Sequence, residues 1–276
     1  MSINFTMPPV GFGPGSQPTN EDGAELSYMP MPSGMRAFES RLPEVDDPET
    51  IRPLLTLLLE AAEACERTAA DGEIRRFDLG ALDATNRRVL AETLGEGEVA
   101  AIVEGAESPK IEAQESVFAG LWRVREGDQE HLEIGAAPAA VTARSGGSFH
   151  AVAAIPGVVN APAVITELAE AASIRQPGGP AHVVNLTLLP HTPEDLVHLD
   201  AALGRGPVTI LSRGYGNCRI EQASRADLWR VRFYNSQDAL ILDTIEVCEI
   251  PEVAIAAKED LSDSAERLRE VVEALS

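Results

Sequence analysis

One pattern occurs twice in this chain. Leu94-Gly95-Glu96-Gly97-Glu98-Val99 returns as Leu203-Gly204-Arg205-Gly206-Pro207-Val208. Gly105 falls in register with Gly214, and Ile111-Glu112 falls on Ile220-Glu221. Trp122-Arg123-Val124-Arg125 matches Trp229-Arg230-Val231-Arg232, with two extra residues in the first copy. Leu132-Glu133-Ile134 with Pro138 answers Ile245-Glu246-Val247 with Pro251. An ordered repeat of this length implies two like folding units. The expected division is an arm over 1–44, a first and degenerate unit over 45–144, a linker over 145–159, and a second, specialised unit over 160–276.

Local signals agree between the copies. Asp47 can cap a first helix, Pro48 suits its opening turn, and Ile51, Leu54, Leu55, Leu58 and Ala62 share a face. Pro53 should kink that helix or delay its start. In the second copy Asn160 takes the capping role, and Val164, Ile165, Leu168 and Ala172 share a face. Short strands follow at Arg76–Leu79 and Val183–Leu189. Asp83 and Thr192 then cap second helices, which end at Leu94-Gly95 and Leu203-Gly204. Alternating segments complete each unit, in the first at Val99–Val103, Ile111–Glu115, Trp122–Arg125 and Leu132–Ile134.

Helix, strand, helix, then strands predicts α+β units with mixed or antiparallel sheets. Leu261, Ala265, Leu268, Val272 and Leu275 form the stripe of a closing amphipathic helix that packs on the body. The Pro- and Gly-rich start, as in Pro8-Pro9-Val10-Gly11-Phe12-Gly13-Pro14-Gly15, predicts a flexible arm.

Residues needed twice serve the core, so residues found in one copy are the candidates for function. Three differences stand out. The turn Ser212-Arg213-Gly214-Tyr215-Gly216-Asn217-Cys218-Arg219 replaces Glu104-Gly105-Ala106-Glu107-Ser108-Pro109-Lys110. Its two glycines allow positive φ or close backbone approach. A hairpin, Phe233-Tyr234-Asn235-Ser236-Gln237-Asp238, replaces the shorter Glu126-Gly127-Asp128-Gln129. Pro190-His191-Thr192 replaces Leu82-Asp83.

His191, Arg213, Tyr215, Asn217, Cys218, Arg219, Tyr234, Asn235 and Ser236 are therefore the candidate partner-binding residues. Arg213 and Arg219 could favour a Cys218 thiolate, while His191 more simply holds its loop. Trp122 and Trp229 occupy equivalent places and are assigned to the core or to the join between units.

The formal net charge of −22 at pH 7 repels phosphate backbones and anionic lipid. Nucleic acid and membrane are thus unexpected partners. Met1–Val10 has neither a basic nor an apolar signal region, so no signal peptide and a cytoplasmic location are expected. Cys65, Cys218 and Cys248 lack the spacing of a disulfide framework or a zinc site. No nucleophile elbow, Walker or dinucleotide-binding pattern is present, which points away from an enzyme.

Leu189-Pro190-His191-Thr192-Pro193, the run Ile210–Ile220, Tyr234–Asp238 and Ile245–Val253 resemble the C-terminal region of HupH/HyaF hydrogenase expression/formation proteins. Met29-Pro30-Met31-Pro32-Ser33-Gly34-Met35-Arg36 resembles that family's N-terminal segment. The resemblance implies a role in nickel–iron hydrogenase maturation. It implies an assembly chaperone for the iron–sulfur small-subunit precursor before twin-arginine export, with no resident cofactor. A thioredoxin-like companion of the HyaE/HupG type is the implied second partner. An acidic surface would speed encounter with a basic leader. The alternative is a carrier that delivers iron or an iron–sulfur cluster through Cys218.

Overall fold

The computed structural model describes residues 43, 45, 47–105, 109–142, 146–153, 155–214 and 216–276. The expected arm, including Met29–Arg36, falls almost wholly outside them.

In chain order the elements are α1 (Arg52–Asp71), β1 (Arg75–Asp78), α2 (Ala84–Leu94), β2 (Val99–Val103), β3 (Ile111–Glu115), β4 (Leu121–Glu126), β5 (Gln129–Ile134) and α3 (Ala139–Thr142). Then come α4 (Ala161–Ile174), β6 (His182–Asn185), α5 (Pro193–Leu203), β7 (Val208–Ser212), β8 (Asn217–Gln222), β9 (Leu228–Tyr234), β10 (Leu240–Val247) and α6 (Lys258–Leu275). A short 3-10 turn precedes α1 at Pro48–Ile51, and another spans Glu252–Ala254. Pro53 sits at the second position of α1, so it delays the helix rather than bending it.

Of the mixed or antiparallel sheets expected from the sequence, the antiparallel form is found, but as one sheet and not one per unit. All ten strands join one antiparallel sheet, in the order β1-β5-β4-β3-β2-β7-β8-β9-β10-β6. The joining pair is β2 with β7, where Val99 faces Ser212, Ala101 faces Ile210 and Val103 faces Val208. Lone four- or five-stranded sheets would leave β2 and β7 as open edges. Pairing them satisfies both rows of backbone groups at once.

The register also corrects the sequence matching. Ile111 faces Val103 while Cys218 faces Ser212, so the two extra residues lie in the β2–β3 turn. Glu115 faces Trp122 as Gln222 faces Trp229. It is therefore Ile111 and Cys218, not Ile111 and Ile220, that hold like places. The second-copy strand also stops early, at Asn185 rather than Leu189. From Leu186 the chain turns, with Leu189 N–H bonded to the Leu186 carbonyl.

Alternation along the strands sorts side chains onto two faces. One face carries Ala101, Val124, Trp122, Ile210, Ile220, Trp229 and Val231, which form a central core beneath α3 and the 252–254 turn. Both indoles lie there, donating to the carbonyls of Gly135 (3.0 Å) and Glu249 (3.2 Å). The other face is covered at its ends only. At one end α1, α2 and α6 pack on Leu121, Leu132 and Ile134. At the other, α4 and α5 pack on Val184, Leu228, Ile245 and Val247.

α6 thus follows the second half in sequence but lies on α1 of the first. Arg269 pairs with Glu66 at 2.8 Å, and Arg267 stacks 5.0 Å from the Phe118 ring centroid.

The helix starts are tied together by buried side chains. Thr192 and Asp195 form a capping box on α5. The same Asp195 carboxylate accepts the N–H groups of Val159, Asn160 and Ala161 at 2.8–2.9 Å. The cap expected from Asn160 is therefore supplied by Asp195, and Asn160 Nδ2 donates instead to the Pro190 carbonyl at 2.7 Å. In the first half Asn86 plays a similar part. Its Oδ1 accepts from Leu54 N–H, and its Nδ2 donates to the Thr50 carbonyl.

Candidate functional site

The β7–β8 turn and the β9–β10 hairpin, which distinguish the second half, gather at one end of its strands. The β7–β8 turn requires two glycines for different reasons. Gly216 has φ +99°, a left-handed conformation that costs other residues. Gly214 has no such φ; a Cβ there would collide with the Glu98 carboxylate. The turn is further fixed to the first half by Arg213 N–H, which donates to the Glu98 carbonyl at 3.0 Å. At the β9–β10 hairpin, Asn235 Oδ1 accepts from Gln237 and Ala239 N–H, both at 2.9 Å. Asp238 adopts φ +57°, which an aspartate tolerates better than most residues.

Of the nine candidate residues, Arg213, Asn217, Cys218, Arg219 and Tyr234 line one cavity of about 440 Å³. Leu211, Ser212 and Asp238 complete its walls. Leu211 was missed in the sequence because an apolar strand residue reads as core. In the sheet it faces Arg219 and is 47% exposed. Asn217 faces Tyr234 across β8 and β9. Asn235 and Ser236 follow Tyr234 in the hairpin, where Asn235 shapes the turn and Ser236 is exposed. His191 does not line this cavity. Its ring Nδ1 is bonded to the Leu189 carbonyl at 2.8 Å, the loop-holding role. Tyr215 lies outside the described residues.

The expected activation of Cys218 is overturned. Neighbours on a strand point to opposite faces, so the Cys218 side chain turns into the core while the Arg219 side chain stays exposed. Cys218 is 3% exposed and sits in the central core, as does Cys248. Burial, with the negative charge of Glu246 adding to it, pushes the Cys218 thiol up to about 12. Burial likewise raises Cys65 and Cys248 to about 12. Among the described residues no cluster of three or more His, Cys, Asp or Glu side chains is arranged to hold a metal ion.

Arginines and carboxylates dominate the open middle of the face next to the cavity. Glu221 pairs with Arg219 at 2.9 Å and closely with Arg232. Asp243 pairs with Arg230 at 2.7 Å. These pairs pin the long side chains flat against the sheet. No described helix is long and apolar enough to cross a membrane.

Polar side chains and the Tyr234 ring dominate the lining of the cavity. Residues 158–275 match the family model of the HupH hydrogenase expression protein, C-terminal conserved region. The chain is 55% identical to hydrogenase expression/formation protein HupH of Rhodobacter capsulatus, over 100% of both chains. It is 44% identical to hydrogenase expression/formation protein HoxQ of Cupriavidus necator, over 98% of this chain and 97% of that one. It is 33% identical to the hydrogenase-1 operon protein HyaF of Escherichia coli, over 96% and 95%. The class is that of hydrogenase expression/formation proteins. Within it, this chain belongs to the HupH family.

Proposed function

We propose that this protein is an assembly chaperone for the iron–sulfur small subunit of a nickel–iron hydrogenase, acting in the cytoplasm on the precursor before export. It is not itself an enzyme and works beside a thioredoxin-like companion of the HyaE/HupG type. Its recognition surface is the cavity of Arg213, Asn217, Cys218, Arg219 and Tyr234, and Asn235, Ser236, His191 and Tyr215 are its further partner-binding candidates. The observation that carries this reading is the convergence of five second-half residues on one cavity. A carrier role through Cys218 is not favoured, because its thiol is buried and held protonated.

The proposal includes the origin of the surface. The two halves are copies of one unit, 45–144 and 160–276, of which the second is specialised. The matching strand orders on either side of the β2–β7 pair support this, as does the Ala101–Ile210 pairing at its centre.

The test is co-purification with the small-subunit precursor, with an iron assay on the same sample. A colourless, iron-free complex is the expected result. Stoichiometric iron on the accessory protein alone, or no precursor in the eluate, would overturn the chaperone reading.

A further inference from the structure

The ten-stranded sheet ends in two edges of different character. At one edge β1 reads Arg75-Arg76-Phe77-Asp78, and Arg75 pairs with Asp71 at 2.6 Å. Charged side chains of this kind keep other chains off an edge. At the other edge β6 reads His182-Val183-Val184-Asn185 and holds no Asp, Glu, Lys or Arg. The charge-free run extends from Gln176 to Thr192, in a chain where 24% of residues are charged. No proline or bulge interrupts β6, which pairs in unbroken register with β10.

The backbone at that edge is open. Leu186 donates its N–H to the Asp243 carbonyl at 2.9 Å, in the register that sets Val184 against Ile245. In an antiparallel ladder, backbone groups turn toward one neighbour at every second residue. Val184 therefore faces β10, and Val183 presents its N–H and C=O outward. Neither group has a partner among the described residues. Asn185 also faces outward, but its carbonyl already accepts the Leu188 N–H at 3.3 Å. Val183 is 49% exposed. Apolar residues adjoin the strand: Ile174, the last residue of α4, is 72% exposed, and Leu188, three residues past β6, is 80% exposed.

What pairs with such an edge is extended and uncharged, and it has to approach a chain of net charge −22 without setting carboxylates against carboxylates. A second copy of β6 meets each condition. Like strands related by a two-fold axis run antiparallel, so this edge is complementary to itself. With the axis at Val183, its N–H donates to the Val183 carbonyl of the second copy, and the reverse bond forms by symmetry. A strand this short buries less than the roughly 800 Å² per partner of a standard interface, so Ile174 and Leu188 contribute and association depends on concentration.

We propose that the protein forms a two-fold dimer by antiparallel pairing of β6 with β6 of a second copy, centred on Val183. The inference rests on this edge and is independent of the recognition cavity.

Light scattering of the full chain should give the 29.4 kDa monomer when dilute and twice that mass at a hundredfold higher concentration. Val183→Pro removes the outward N–H at a position where an edge strand tolerates proline, and should leave a folded monomer that no longer dimerises. If that variant fails to fold, Val183→Cys decides. Facing residues of this kind hold their Cα atoms about 5.5 Å apart, within disulfide range. Copper–phenanthroline should oxidise Val183→Cys to a covalent dimer at a concentration where Arg76→Cys, on the charged edge, stays monomeric. The native cysteines are buried and do not compete. Raising the salt should tighten the dimer, because screening weakens the repulsion between two acidic chains. A monomer at every concentration, a dimer that survives Val183→Pro, or equal cross-linking of the two cysteine variants would each overturn the proposal. Association that salt weakens would do the same, since opposite charges and not a paired edge would then hold the copies together.

Discussion

Gly206 donates its N–H to the Gln222 carbonyl at 2.8 Å, and at the matching bend Gly97 donates to the Glu115 carbonyl at 2.7 Å. Each glycine lets a helix-to-strand connection lie directly on the end of the next-but-one strand. A Cβ at Gly206 would meet the Ala223 carbonyl oxygen, and one at Gly97 the Ser116 carbonyl oxygen. Both obstacles are backbone and cannot swing aside. Gly97→Ala and Gly206→Ala should each cost about 2–4 kcal/mol in urea unfolding. At Gly214 the obstacle is only the end of the Glu98 side chain, so Gly214→Ala should cost about 1 kcal/mol or less.

Asp195 ties two helix starts through four backbone N–H groups. The Thr192 N–H leads in holding its carboxyl well below the ordinary value of 3.8, and those of Ala161, Val159 and Asn160 add to it against the cost of burial. Because the folded value is depressed, the stability from this group is present above pH 3.8 and is lost as pH falls below it. Asp195→Asn should lower the urea midpoint at pH 7 and flatten the acid limb below about pH 4 relative to the unaltered protein. An unchanged acid limb would contradict this assignment.

Glu115 behaves in the opposite sense. Its folded value is raised to about 7 from 4.5, chiefly by burial. Ionising it therefore destabilises the fold as pH rises from 4.5 through about 7. Glu115→Gln should be close to neutral at pH 4 and should stabilise by up to about 3 kcal/mol at pH 8. Gln can still accept the Gly120 N–H, so the local geometry should survive. Denaturation curves at the two pH values make the comparison.

Asn217 and Arg219 are exposed and line the cavity beside Tyr234. Asn217→Ala and Arg219→Ala should each weaken precursor binding about tenfold or more while changing stability by about 0.5 kcal/mol or less. Arg219 holds Glu221, which still has Arg232, so its loss leaves no carboxylate unpaired. Normal precursor capture by both folded variants would remove this surface from the function.

Cys65, Cys218 and Cys248 are all free and buried. A thiol reagent at pH 8 should react slowly with the native protein and should titrate three thiols once it is unfolded. Rapid labelling of Cys218 in the native state would contradict its burial.

The sequence by itself determined what is local. Helix starts at Pro48, Asp83 and Thr192 were legible because caps and first-turn prolines act within a few residues. Strand alternation was legible for the same reason, and so was the exclusion of Asn217 and Arg219 from the core. The two tryptophans could be placed because a shared pattern carries its core with it.

Tertiary structure decided what depends on partners far apart in sequence. Nothing near Val99 or Val208 says that β2 and β7 will pair. That follows from two open edges whose backbone groups need each other. Asp195 capping Ala161, α6 lying on α1, and Glu98 seated against Gly214 are long-range contacts of the same kind. The chemistry of Cys218 was decided there too. Arg219 follows it directly in sequence, but the strand turns Cys218 into a desolvated core, and burial outweighs proximity along the chain. One cavity lined by Glu98, Glu115, Glu246, Glu252 and Asp260 was invisible for the same reason: these carboxylates meet only when one sheet joins both halves.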